Sequence, residues 1–119
     1  MSKPKPIYYV KPEDFHTEYT LSEEKGEPTA KLIKMFEKIA IGYSKKYRGN
    51  KIDIDACVNY ATFEAWKKWN KYDRERSSNI FAFFTQMIKN DLAQHRNKIF
   101  HKKELYVSID SLFTNNRDN

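Results

Sequence analysis

The stretch NIFAFFTQMIKNDLAQHRNK, residues 79–98, decides how the rest of the chain is read. Three phenylalanines, Phe81, Phe83 and Phe84, stand within four positions, and a polar, basic run follows. At a period of 3.6 residues, Phe81, Phe84, Ile88, Leu92 and His95 fall on one helical face. Phe83, Gln86, Asn90, Gln94 and Asn97 fall on another, flanked by Lys89, Arg96 and Lys98. A helix that only supports a core needs a single apolar stripe. The second stripe here is an amide ladder headed by an aromatic ring. Amides donate and accept together, as an adenine edge requires. An exposed ring can stack on an unpaired base for about 1–3 kcal/mol. Lysine and arginine hold phosphates. The ordinary alternative is that the amides are plain surface residues and Phe83 is core. The spacing predicts a helix from about 80 to 103, with Ser77, Ser78 or Asn79 as its N-cap.

Upstream, RERSSN (74–79) is a short polar linker carrying Arg74 and Arg76, with Lys71 just before it. The segment 52–73, IDIDACVNYATFEAWKKWNKYD, predicts a further helix that Asp53 or Asp55 can cap. Val58, Ala61, Ala65 and Trp69 form its main stripe, while Tyr60, Phe63 and Trp66 lie off it. A helix apolar on more than one side is either central in the core or docked on a partner. In residues 28–49, PTAKLIKMFEKIAIGYSKKYRG, the spacing of Leu32, Phe36, Ile39, Tyr43 and Tyr47 predicts a long helix between Pro28 and Gly49. Residues 11–28 suit a short helix with Pro12 at its first position and Glu13 and Asp14 in its first turn. Residues 1–11 read as an extended arm with an apolar run, Ile7 to Val10. The end, ELYVSIDSLFTNNRDN (104–119), is acidic and apolar, and suits a strand, a loose end or a docking peptide.

The 119 residues fit one domain. Only three glycines and four prolines occur, and long β-branched alternating runs are missing, which favours an all-α fold. The net charge of +6 is unevenly placed. Residues 61–103 hold ten Lys/Arg against four Asp/Glu, whereas residues 104–119 hold one against three. Positive charge gathered on one segment is the footprint of a polyanion partner, a solubilising surface being the alternative. Cys57 is the single cysteine, so no internal disulfide forms. No apolar stretch is long enough to span a membrane, and the first ten residues lack the apolar core of a signal peptide. A cytoplasmic protein is therefore expected.

No catalytic arrangement emerges. There is no glycine-rich phosphate loop. His95 and His101 are six apart, on different faces, and Cys57 has no partner at metal-ligand spacing. His95, on the apolar stripe, reads as a core histidine. A non-enzyme without cofactor or metal is expected.

The run KIAIGYSKKYRG (38–49) and the run from Asp55 to Lys98 together resemble region two of bacterial sigma factors. In that family a helix ending in a KAxxKFD-like turn precedes a basic linker and then a helix opening with aromatics. KKWNKYD (67–73) resembles that turn, and FAFFTQ (81–86) resembles that opening. With YYV near the start, the order and spacing most resemble the small late-transcription sigma factors of T-even-like tailed bacteriophages, over roughly residues 29–100.

The resemblance implies a small helical bundle over residues 1–103, including the arm, and a tail at 104–119. It implies a transcription initiation factor acting in the cytoplasm of an infected bacterial host. Such a factor joins host RNA polymerase core and directs it to an A/T-rich −10-like promoter element. By resemblance Asp55, Asn59, Thr62, Phe63 and Trp66 meet the β′ coiled-coil. By the same resemblance Phe83, Gln86, Lys89, Asn90 and Gln94 read the promoter; Lys71, Arg74, Arg76, Arg96 and Lys98 complete the expected DNA-contacting set. Within SIDSLF (108–113), Ile109, Leu112 and Phe113 resemble the apolar peptide by which phage late factors bind a sliding clamp. A late co-activator is a further expected partner. The chain departs from housekeeping sigmas where these carry a duplex-wedging tryptophan pair: Gln86 and Met87 stand there. Two further melting aromatics align with Ser78 and Ile80, and Phe83 alone keeps an aromatic for a flipped adenine. Two other functions fit the same residues: a stand-alone nucleic-acid-binding protein, and a protein-only adaptor or inhibitor of host polymerase.

Overall fold

The structure is a computed structural model that describes residues 9–73 and 79–117, with side chains as far as Lys102. Four α-helices follow in order, and no strand occurs among the described residues: α1 (Pro12–Lys25), α2 (Ala30–Ser44), α3 (Lys51–Lys67) and α4 (Ile80–Arg117). A short 3-10 turn, Trp69–Lys71, follows α3. The all-α bundle expected from the sequence is the fold observed.

Local chemistry sets the boundaries. Pro12 opens α1 with Glu13 and Asp14 in its first turn, where the helix dipole favours acids. Gly26 ends it with φ 85, a left-handed conformation that costs glycine least. Thr29 caps α2 by accepting the Leu32 amide at 3.1 Å, and its hydroxyl also donates to Glu18 of α1. Ser22, fully buried, donates to the Glu18 carbonyl at 3.0 Å and accepts the Thr29 amide at 3.1 Å. The α1–α2 corner thus satisfies its own buried polar groups. The sequence put the α3 cap on Asp53 or Asp55. The structure corrects this: Asn50 is the cap, accepting the Asp53 amide at 2.8 Å. Asp53 lies inside the first turn instead. Asn79 is the α4 cap, accepting from Ala82 at 3.0 Å.

The core forms where α1, α2 and α4 meet. Phe15, Phe36 and Phe84 are fully buried and mutually tilted, their centroids 5.3–5.9 Å apart. Leu32, Ile88 and Leu92 complete this layer. From α3 the buried contributions are small, Cys57, Val58, Ala61 and Ala65, which lets the backbone lie close against its neighbours. Tyr19 reaches across the bundle and donates to the Trp69 carbonyl at 2.8 Å, pinning the 3-10 turn to α1. Trp69, expected on the α3 stripe, packs half-buried from that turn.

α4 differs most from expectation. It spans 38 residues, about 57 Å at 1.5 Å per residue. It runs on to Arg117 rather than ending near residue 103, so residues 104–117 are helical backbone. Of the expected arm, residues 1–8 lie outside the described residues; Tyr9 is exposed and Val10 packs into the core.

Candidate nucleic-acid interface

Two surfaces on adjacent helices stand out. The first is the outer side of α3. Its inner side is committed to the core, so Asp55, Asn59, Phe63 and Trp66 face away from it. Phe63 is 52% exposed and Trp66 43%, and their rings lie 5.6 Å apart. Thr62 is half-buried, and its hydroxyl donates back to the Val58 carbonyl at 2.8 Å. Ile52, 80% exposed, extends this side toward the start of α3. Sequence reasoning passed over Ile52, although its spacing of seven to Asn59 and eleven to Phe63 places it on the same face. Adjacent exposed large apolar side chains are what a partner surface looks like.

The second surface is the polar side of α4. Gln86, Asn90, Gln94 and Asn97 are all exposed, and the Gln86 Nε2 donates to the Asn90 Oδ1 at 2.9 Å. The ladder is therefore real in three dimensions. Phe83 at its head is half-buried: it packs on Tyr72 at 5.2 Å and edge-on to Phe84 at 5.1 Å. Its ring is seated in an aromatic cluster, with part of it left accessible. Phe81, grouped with the core by spacing, is also half-buried and packs edge-on to Phe15 at 5.6 Å.

The basic residues divide. Lys98 and Lys71 are exposed. Lys89 and Arg96, grouped with the ladder by sequence, instead lean onto tyrosines at the α2 side. The Lys89 ammonium lies 5.2 Å from the Tyr43 ring, and the Arg96 guanidinium lies 5.1 Å from Tyr47 and 4.5 Å from Phe100. The negative faces of the rings draw the cations there. Arg74 and Arg76 lie outside the described residues. So do the side chains of Ile109, Leu112 and Phe113, whose backbone belongs to α4.

Between the two surfaces lies a charge cluster that the sequence did not disclose. Glu64 binds Lys67 at 3.4 Å and Lys68 at 3.2 Å. Burial pushes its carboxyl up, but hydrogen bonds from the two lysines prevail and its pKa lies below the ordinary value. Asp91 of α4 is buried, and its Oδ2 has no hydrogen-bond partner among the described residues. Burial holds its pKa above the ordinary value against the opposing pull of Lys68. His95 stacks on Tyr60 at 4.6 Å, tying α4 to α3 half-buried. Among the described residues no cluster of three or more His, Cys, Asp or Glu could hold a metal ion, and no helix is long and apolar enough to cross a membrane.

A family model of Sigma-70 region 2 matches residues 32–99, more than half of the chain. That span runs from the first buried leucine of α2 through the amide ladder of α4. Neither the curated proteins nor the solved structures yield a match.

Proposed function

Because the chain belongs to the Sigma-70 region 2 family, and so has a sigma-like role in transcription initiation, we propose a division of labour between two helices. The outer side of α3 docks on core RNA polymerase, at the β′ coiled-coil, through Phe63 and Trp66 with Asp55, Asn59 and Thr62 around them. The polar side of α4 reads the promoter through Gln86, Asn90 and Gln94, with Phe83 meeting a flipped base at its accessible part. Lys71, Lys98 and the linker arginines Arg74 and Arg76 hold phosphates, and Lys89 and Arg96 support this from the α2 side.

The observation that carries the reading is the separation of the two surfaces. Exposed aromatic residues occupy α3, exposed amides occupy α4, and packing of the bundle core accounts for neither. Amides in hydrogen-bonding register suit an A/T-rich element. The missing wedge at Gln86 and Met87 suits a factor acting on easily melted DNA.

At the finer level, we infer a late-transcription factor of a T-even-like phage, acting in the infected host. Its distinctive order of motifs and its acidic, apolar end support this. Ile109, Leu112 and Phe113 then form the plug for a sliding clamp, with a late co-activator as a further partner. Presented from helical backbone, the plug resembles a helix laid into a groove.

The test is run-off transcription with purified core polymerase on A/T-rich late promoters. The reading expects initiation at a defined site only when the chain is added. DNA binding without core, or inhibition without redirected initiation, would favour the stand-alone binder or the adaptor instead.

A further inference from the structure

Two lysines serve one carboxylate on α3, while a buried carboxylate on α4 has neither. Glu64 binds Lys67 at 3.4 Å through Oε1 and Lys68 at 3.2 Å through Oε2. Asp91 is 6% exposed, and its Oδ2 has no hydrogen-bond partner among the described residues. Lys68 is the cation and Glu64 the acid whose charges reach it from α3. An ionised carboxylate is costly to bury unless it is paired. Burial accordingly keeps Asp91 on the protonated side, above the ordinary carboxylate range.

With Asp91 protonated, the group of Glu64, Lys67, Lys68 and Asp91 carries a net positive charge. In the free chain water holds that excess, since the Lys67 and Lys68 side chains are 49% and 45% exposed. The group also borders the exposed rings of α3. The Lys67 ammonium lies 5.3 Å from the centre of the Phe63 ring, which lies beside Trp66. A partner that covers these rings removes water from around the lysines. A charge without water is costly unless it is paired, and a second acid already stands within its field. Lys67 suffices for Glu64, so Lys68 is free to leave.

We propose that docking of a protein partner on the outer side of α3 transfers Lys68 from Glu64 to Asp91, and that Asp91 gives its proton to solvent as the new pair forms. The Asp91 O–H bond breaks, its electron pair stays on the carboxylate, and Glu64 keeps Lys67. The product is an ion pair joining α3 to α4, made only when the docking surface is covered. Two other titratable groups face this exchange. Tyr60 lies within the field of Lys68, and His95, one turn along α4 from Asp91, stacks on Tyr60 at 4.6 Å. The exchange uses neither. Because docking releases a proton, affinity for the partner rises with pH through the titration of Asp91, by at most about tenfold per pH unit. The proposal rests on the reading of outer α3 as the surface for core polymerase.

The test is calorimetric titration of the full chain into purified core polymerase, at several pH values from acid toward neutrality, in buffers of different ionisation enthalpy. The buffer dependence of the heat counts protons released. Wild type should release more protons than Asp91→Asn, by a difference that approaches about one at the acid end and fades as pH rises. Lys68→Met should behave like Asp91→Asn, and His95→Phe, which keeps a ring on Tyr60, like wild type. Equal release by wild type and Asp91→Asn, with core bound by both, would overturn the proposal and leave the docking surface standing. A difference that vanishes in His95→Phe would overturn it too, by assigning the proton to His95. A second measurement needs no polymerase: the Asp91 carboxyl is titrated by carbon NMR in the free chain. Glu64→Gln should lower its midpoint, partly by removing a negative charge and partly by freeing Lys68, so the fall should be clearly smaller in a Lys68→Met background. Equal falls in the two backgrounds would show that Lys68 does not change partner. Failure of the wild-type chain to bind core would instead remove the functional premise.

Discussion

Gln86 donates to Asn90 across 2.9 Å, one helical turn apart on the exposed side of α4. The bond uses one Gln86 donor and one Asn90 acceptor. It leaves the Gln86 carbonyl oxygen and the Asn90 amide donors facing solvent, already oriented by their partner. A pair held this way loses less side-chain entropy on meeting a base edge than two free amides.

Asn90→Ala should therefore cost more than its own contact, because Gln86 loses its orientation too. A base-edge contact of this kind is worth about 1–3 kcal/mol of discrimination. Gln86→Ala, Asn90→Ala and the double variant should show coupling in a double-mutant cycle on promoter selectivity. Additive losses would mean that the two amides act independently on DNA or not at all.

Phe83 and Phe84 are neighbours with different duties. Phe84 touches Phe15, Tyr19 and Phe36 and is fully buried, so Phe84→Ala should cost about 3–5 kcal/mol of stability. Phe83 is half-buried, so Phe83→Ala should cost clearly less and melt well above Phe84→Ala. The same variant should open duplex promoters poorly and be largely rescued by a pre-melted bubble. Thermal melts and permanganate footprints check both statements. Equal melting temperatures for the two variants would place Phe83 in the core alone.

Asp91 gives a pH prediction with a definite sign. Its folded-state pKa is raised, chiefly by burial. The folded state therefore favours the protonated carboxyl. The stability this confers is fully present below the unfolded value, about 3.9, and is lost as pH rises through the raised folded value. Asp91→Asn cannot titrate. Its melting temperature relative to wild type should therefore climb as pH rises from acid toward neutrality, then level off. A flat difference across that range would show that Asp91 is not held above its ordinary value.

Much of this could be read from residue order. The periods of Leu32, Phe36 and Ile39, and of Phe84, Ile88 and Leu92, identify faces that the structure buries. The exposed aromatics of α3 were legible because Phe63 and Trp66 stood off an alanine stripe. Other features were not, for physical reasons. Asn50 caps α3 from a position ahead of two equally suitable acids, and local sequence does not rank them. Lys89 and Arg96 share the flank of the ladder by angle, but Tyr43 of α2 and Tyr47 just beyond its end draw them away, which is a tertiary effect. Residues 104–117 lack a strong single period, yet they continue a helix already nucleated, where each added residue costs little. Nothing in the local sequence marks Asp91, which the fold buries.

The central claim is that α3 and α4 serve different partners. It is tested most directly by measuring two variants in the same two assays: retention on immobilised core polymerase, and run-off transcription from a late promoter. Trp66→Ala, which removes a 43% exposed ring, should lose core binding by about 2 kcal/mol or more and lose transcription with it. The double variant of Gln86 and Asn90 to alanine should bind core like wild type and lose only promoter-directed initiation. If both variants fail together in both assays while remaining folded, or if Trp66→Ala binds core normally, the two-surface account is contradicted.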